Sequence, residues 1–181
     1  MKKIIFVLLL SVGFSQNEKL IIGNVEFELG QSFEVAFKKA AIAGYEPKLR
    51  ESGPITIIDI YEKNERTDKI YKIGTFGLDK NQDVANRKIT SLVKYYEKEL
   101  ENGNRKSFVN IMFDALYYFH YNDSKVEIKL TGSPTWKMIQ LTSNQDSIYR
   151  KVIMTNMVPA GTDPYLADNF VSVSELIMRA N

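Results

Sequence analysis

The residues that could carry chemistry in this chain are few and scattered. Asp79, Asn81 and Asp83 stand at the first, third and fifth positions of a calcium-loop pattern. An EF-hand loop also needs glycine at its sixth position and glutamate at its twelfth, where this chain has Val84 and Thr90. Because the sharp turn and the bidentate ligand are both missing, we interpret the three residues as a polar turn in which Asp83 caps a following helix.

His120 is the single histidine, so any chemistry that needs an imidazole would have to use it. A Ser-His-Asp hydrolase is not indicated, since no serine lies in a G-x-S-x-G elbow. Zinc sites recruit several His or Cys ligands, and this chain has no cysteine. The phosphate-binding and dinucleotide-binding glycine motifs are also absent. We therefore predict no metal and no cofactor, and a structural role for His120 at the end of a helix.

Aromatic side chains are the remaining candidates for a binding site. Such side chains can stack on sugars or bind peptides. Strand alternation places Trp136 and Met138 on one side of a segment that carries Ile139 and Leu141 on the other. Either the sheet is covered on both sides, or Trp136 and Met138 form an exposed patch that binds a partner. The candidate ligand-binding or partner-binding residues are Trp136, Met138, Tyr118 and Tyr121.

The N-terminus has the pattern of a secretory signal peptide. Lys2 and Lys3 precede an apolar run over residues 4–10, and Gly13 and Ser15 follow at the small-x-small spacing that a signal peptidase recognises. The apolar stretch is much shorter than the roughly 20 residues that a membrane-spanning helix needs. We predict that residues 1–15 are a cleaved signal peptide and residues 16–181 a single domain. An uncleaved anchor and an apolar first strand are the alternatives.

The composition favours an exported globular domain that does not bind nucleic acid. The chain has 24 Lys and Arg against 22 Asp and Glu, and loss of Lys2 and Lys3 would leave 22 of each. A neutral domain has no overall electrostatic attraction to DNA, RNA or an anionic membrane. A cysteine-free exported domain must rely on its core rather than on disulfides, which favours the bacterial envelope. We expect a periplasmic or secreted protein with no membrane span after signal cleavage.

Apolar stripes predict the helices. Ser32 is a predicted N-cap, and the apolar residues after it recur at helical spacing. Residues 105–120 carry an apolar face so wide, extended by Val109, Phe113 and Tyr117, that we predict a deeply buried helix.

Two further helices are predicted on weaker patterns. Residues 83–103 fit a helical stripe better than strict alternation, while their β-branched and aromatic content leaves a strand as the alternative. A short C-terminal helix is predicted to begin at Ser172 or Ser174.

Runs of β-branched and aromatic residues predict the strands. Between Lys125 and Thr131, alternation predicts that Val126, Ile128 and Leu130 face the core. Glycines 74 and 77 lie inside a strand and indicate a bulge or a close backbone approach. The predicted strands cover residues 20–29, 55–62, 69–78, 125–131, 135–143 and 147–155. The whole pattern predicts an α+β fold: a mostly antiparallel sheet of about five to six strands, two to three helices packed on one face, and the short C-terminal helix.

The lack of a recognisable catalytic constellation favours a binding function. We expect a non-enzymatic binding or interaction module of the cell envelope or extracellular space, with a protein or carbohydrate partner. The alternative is a hydrolase that acts on an envelope or extracellular polymer through a pair of carboxylates. An acidic cleft lined by aromatic residues would favour the hydrolase, whereas a flat apolar patch around Trp136 would favour the binding module.

The signal-peptide prediction is tested by the N-terminus of the protein after expression in the source cells. We expect mass spectrometry of the purified chain to find a first residue near Gln16, because the small residues before it form the cleavage pattern. A chain that retains Lys2 and Lys3 would contradict export by cleavage and would favour the anchor.

Overall fold

The computed structural model describes residues 18–52, 55–80, 83, 86–97, 100, 105–121, 125–133, 136–145, 147–157 and 170–180. The predicted signal peptide lies outside them. Within these residues the chain is mostly β, with ten strands in a two-stranded and an eight-stranded antiparallel sheet, and two helices. The predicted α+β fold, with five to six strands and up to three helices packed on one face, is therefore wrong. Neither described helix is long and apolar enough to cross a membrane.

The order of elements shows where the extra strands come from. In chain order the elements are β1 (Lys19–Ile22), β2 (Val25–Glu28), α1 (Phe33–Ile42), β3 (Glu46–Ser52), β4 (Ile55–Lys63), β5 (Ile70–Leu78), β6 (Ile89–Tyr95), α2 (Arg105–Tyr121), β7 (Glu127–Ser133), β8 (Trp136–Gln145), β9 (Ile148–Met157) and β10 (Phe170–Arg179). The single strand predicted over residues 20–29 is the hairpin β1–β2, which turns at Gly23 with φ 61°. The prediction of α1 is confirmed: the Ser32 side chain accepts a hydrogen bond from the Val35 N–H. The strands β4, β5, β7, β8 and β9 and the helix α2 are also confirmed in type.

The helix predicted over residues 83–103 is wrong, because its central part is the strand β6. Leu78 pairs with Ile89 and Gly77 with Ser91, so Thr90 is an extra residue at a bulge. The bulge brings Ile89 and Leu92, three residues apart, to the same buried side of the sheet. Their spacing therefore imitates the i, i+3 stripe of a helix. Since residues 89–95 form a strand, the long helix that Asp83 was predicted to cap does not form, and the bulge predicted from Gly77 is confirmed.

The predicted C-terminal helix is also wrong, because this segment is the strand β10. Ser172 and Ser174, the expected caps, alternate with the buried Val173 and point to the other side of the sheet. β10 pairs with β6 along one edge and with β9 along the other. These two ladders satisfy its backbone more completely than a short isolated helix would.

The eight-stranded sheet consists of two meanders that β10 joins. Its strand order is β3-β4-β5-β6-β10-β9-β8-β7. Directly paired residues share a side of the sheet, so the registers trace a row of fully buried side chains across four strands: Ile58, Phe76, Leu92 and Ile177. We term the side that carries this row the inner face.

Two separate bodies cover the inner face. The hairpin and α1 lie on the β4–β6 half, where the centroids of the Phe27 and Phe76 rings lie 4.6 Å apart. A Cβ on Gly74 would lie 2.8 Å from the Ile22 Cγ2, which confirms the predicted close approach to this glycine. α2 lies on the other half, over an apolar cluster from β8, β9 and β10.

Two apolar sets predicted to be buried are exposed. On α2, Val109, Phe113 and Tyr117 are 40%, 62% and 68% exposed, since the helix packs through its other side. On β7, Ile128 and Leu130 point to the inner face but are 60% and 73% exposed. β7 is the last strand of the sheet, so the helix that covers its neighbours leaves it uncovered.

On the outer face, the side of the sheet opposite the inner face, the buried Asp59 carboxylate of β4 bonds to side chains of β3 and β5. Asp59 accepts hydrogen bonds from Arg50 Nε at 2.9 Å, Lys72 Nζ at 2.6 Å and Thr75 Oγ1 at 2.8 Å. Burial alone would raise the pKa of Asp59. The hydrogen bonds from Lys72, Thr75 and Arg50 outweigh it, so the pKa lies below its ordinary value of 3.8.

We expect Asp59→Asn to lower the free energy of unfolding by about 1.5–3 kcal/mol at pH 7, because the buried group loses its charged hydrogen bonds. A lowered folded-state pKa means that Asp59 stabilises the fold fully above its ordinary pKa, and that this contribution is lost as the pH falls through the folded-state value. Urea denaturation from pH 7 to pH 2 measures both effects. The matched control is Asp68→Asn, since Asp68 pairs with Lys63 at the exposed surface and should cost under about 1 kcal/mol. Equal losses in the two variants would contradict the expectation.

Candidate functional site

A cavity of about 460 Å³ opens on the inner face between its two covering bodies. The β1–β2 hairpin forms one wall and α2 forms the other, while β6, β9 and β10 form the floor. The walls are largely apolar, through Leu20, Ile21, Ile111 and Ala115. A cavity of this size, with apolar walls and a few converging polar groups, is typical of a small-molecule site.

An ion pair forms the floor of the cavity. Arg150 Nη1 on β9 contacts Glu175 Oε1 on β10, and both side chains are largely buried. Tyr96 Oη donates a hydrogen bond of 3.1 Å to Glu175 Oε2. Both oxygens of the carboxylate therefore have partners, as a buried charge requires.

Lys94 places a second cation beside this pair. It lies opposite Glu175 in the β6–β10 ladder, and its Nζ lies 4.4 Å from the centroid of the Tyr96 ring. Among the described residues, no acidic group lies within ion-pair distance of the Lys94 ammonium. A half-buried ammonium that is held only by an aromatic ring retains capacity to bind an anion.

The rim of the cavity also carries charge. Lys19 and Glu26 of the hairpin form an ion pair of 2.8 Å. The hydrogen bond to the Glu26 carboxylate raises the pKa of Lys19 above its ordinary value. Asp114 lines the opposite wall from α2 and is exposed. The rim thus combines one ion pair with one carboxylate, and among the described residues that line the cavity Lys94 is the cation outside an ion pair.

Of the four predicted binding residues, the structure places Trp136 and Met138 away from this cavity. Trp136 and Met138 share the outer face, on the side of β8 opposite Leu141, and Trp136 is 36% exposed. Tyr118 and Tyr121 belong to the last turn of α2, but their side chains lie outside the described part of the chain. A role for these four residues in binding stays a prediction.

No cation site is formed by the calcium-like turn in the part that the structure describes. Asp79 Oδ1 accepts a hydrogen bond from the Lys88 N–H at 3.2 Å, and Asn81 lies outside the described residues. Within those residues, no group of three or more acidic or histidine side chains is placed to hold a metal ion.

The sequence analysis missed the cavity residues, although a signal for two of them exists. Glu175 lies between Val173 and Ile177 at spacing two, and Arg150 precedes Val152 at the same spacing. A charge at a core-facing position of a strand needs a buried partner. That signal becomes visible only once residues 170–179 are known to form a strand.

Comparison with protein-family models, with curated proteins and with solved structures found no match to this chain.

We expect Glu175→Gln to lower the free energy of unfolding by about 2 kcal/mol or more, because it leaves the buried Arg150 guanidinium beside a neutral amide. Urea denaturation measures the loss. Glu26→Gln is the matched control, since the Glu26 side chain is 54% exposed in its ion pair and its replacement should cost under about 1 kcal/mol. A Glu175 variant as stable as the Glu26 variant would show that the floor pair does not hold β9 to β10.

Proposed function

We propose that the chain is an exported, non-enzymatic binding module whose ligand is a small amphipathic anion. The observation that carries this proposal is the cavity between the hairpin and α2, where apolar walls surround the Lys94 ammonium. Export rests on the signal pattern of residues 1–15.

The two kinds of lining define the ligand class. An acyl chain or an apolar side chain fits against Leu20, Ile111 and Val152, since burial of apolar area drives such contacts. An anionic head fits at Lys94, because the nearby Arg150 is already engaged by Glu175. A fatty acid or a short apolar peptide with a free carboxylate has this combination of an apolar body and a negative end.

The carboxylates of the cavity favour binding over hydrolysis. A carboxylate-pair hydrolase needs a general acid whose pKa is raised, together with a second free carboxylate. Of the carboxylates that line the cavity, Glu175 and Glu26 are held by cations, which leaves Asp114 without a second free carboxylate as its partner. Among the described carboxylates, a shifted pKa is found for Glu34 and Asp59, and in both the pKa is lowered. The hydrogen bond from Lys38 lowers the pKa of Glu34. For Asp59, burial raises the pKa, but the hydrogen bonds to its carboxylate outweigh burial and lower it.

Titration with octanoate tests the proposal, with 1-octanol as the uncharged probe of equal chain length. We expect saturable binding of octanoate by calorimetry, and shifts of the Leu20, Ile111 and Val152 methyl signals by NMR. Lys94→Met keeps the length of the side chain but removes its charge, and should weaken octanoate binding about tenfold.

The matched control is Lys151→Met. Lys151 is half-buried on β9 and, by its pairing with Leu176, lies on the outer face, away from the cavity. Its replacement should leave octanoate affinity unchanged. The proposal fails if the Lys94 and Lys151 variants bind octanoate alike, if octanol binds as tightly as octanoate, or if the shifted methyl signals lie outside the cavity.

A further inference from the structure

The β7 edge of the sheet is open to a further strand. β7 pairs with β8 on one side, and no described strand pairs with its other side. Its residues from Glu127 to Gly132 are all exposed. An exposed edge presents backbone N–H and C=O groups that can extend a sheet by pairing with another strand.

The opposite edge of the sheet is protected against such pairing. β3 contains Pro47, which cannot donate a backbone hydrogen bond to a new neighbour. It also carries Glu46, Lys48, Arg50 and Glu51 within seven residues. Proline and dense charge are common devices that block edge pairing. The contrast singles out β7 as the edge suited to association.

Exposed apolar side chains accompany the β7 edge on the inner face. Ile128 and Leu130 lie on the same side of the sheet as the core residues Leu141 and Ile139, with which they pair. The Val109, Phe113 and Tyr117 side chains recur every four residues on α2, and so form one stripe along the helix. Ile111 and Asp114 face the cavity from the other flank of α2, so the stripe lies on the flank away from the cavity. The hairpin forms the other wall of that cavity, and β7 is the edge at the opposite end of the sheet from the half that the hairpin covers.

The β7 sequence is complementary to itself in one antiparallel register. If a second copy pairs about a two-fold axis through Ile128, then Glu127 lies opposite Lys129 of that copy, and Lys129 opposite its Glu127. Val126 lies opposite Leu130 in the same way. Opposite charges and apolar pairs in directly opposed positions stabilise a ladder, whereas like charges destabilise it.

Neighbouring registers lack this complementarity. An axis through Lys129 would oppose two lysines, and an axis through Glu127 would oppose two glutamates. Both would place like charges directly across the new ladder. The self-complementary charges therefore favour a second copy of this strand as the occupant of the edge, and they favour the axis through Ile128 over both neighbouring registers.

We propose that two copies of this chain pair through their β7 strands about a two-fold axis at Ile128. The pairing joins eight strands from each copy into one continuous antiparallel sheet. The axis is perpendicular to the sheet, so both inner faces lie on the same side. The apolar stripes of the two α2 helices then face each other across the seam and cover Ile128 and Leu130. The ligand cavity lies on the other flank of α2 and is not part of this interface.

Sedimentation of the purified chain over a concentration series tests the pairing. The N-terminus of the chain is first identified by mass spectrometry. We expect a concentration-dependent dimer. Ile128→Lys places two lysines on the axis and should weaken dimerisation about tenfold or more. Leu49→Lys is the matched control, since Leu49 is an exposed apolar residue on the opposite edge strand, and it should leave the dimer intact. Circular dichroism verifies that both variants fold.

Charge reversal tests the register. Glu127→Lys and Lys129→Glu should each be monomeric, because each creates like-charge pairs at the seam. The double variant should dimerise again, and so should an equimolar mixture of the two single variants. The proposal is overturned by a monomeric wild type at every concentration, by a dimer that survives Ile128→Lys, or by charge variants whose mixture stays monomeric.

Discussion

The pairing of β10 with β6 is the constraint on which the rest of this structure depends. The register from Ser174–Tyr95 to Met178–Ser91 joins segments some eighty residues apart in sequence and fuses two meanders into one sheet. It also sets Glu175 beside Lys94, so the floor of the cavity exists only when this ladder forms. The closure of so long a loop costs entropy, which the fully buried Leu92–Ile177 contact across the ladder offsets.

The cavity follows from the way the inner face is covered. A hairpin with a short helix covers one half and α2 covers the other, and neither reaches the strip between them. Side chains on that strip line the cavity, so charged residues can occupy core-facing positions that would otherwise be apolar. Arg150 and Glu175 satisfy each other there, whereas Lys94 lies against an aromatic ring and keeps its charge available. The proposed anion site is thus a consequence of incomplete coverage.

The two edge strands of the sheet differ in how readily they can pair with a further strand. β3 carries a proline and four charged residues, which make it a poor template for another strand. β7 has an apolar inner side and a charge pair of opposite sign, which together suit a copy of itself. The wide apolar face of α2 and the alternation of β7 are real sequence features. The single chain leaves the apolar side chains Val109, Phe113, Tyr117, Ile128 and Leu130 exposed. The proposed interface would bury them.

The sequence by itself determined the elements whose signals are local. Ser32 and the stripe after it specify α1, and simple alternation specifies strands such as β7, because capping and periodicity act within a few residues. The signal-peptide prediction for residues 1–15 rests on the same kind of local pattern and stays a prediction. Tertiary structure decided β6 and β10. The bulge at Thr90 interrupts the alternation of β6, so its sequence does not show the pattern of a strand. The strand β10 depends on pairing partners that precede it in sequence and that no local pattern identifies. Tertiary structure also decided the cavity, because Lys94, Arg150 and Glu175 meet only through the strand order, which no local pattern encodes.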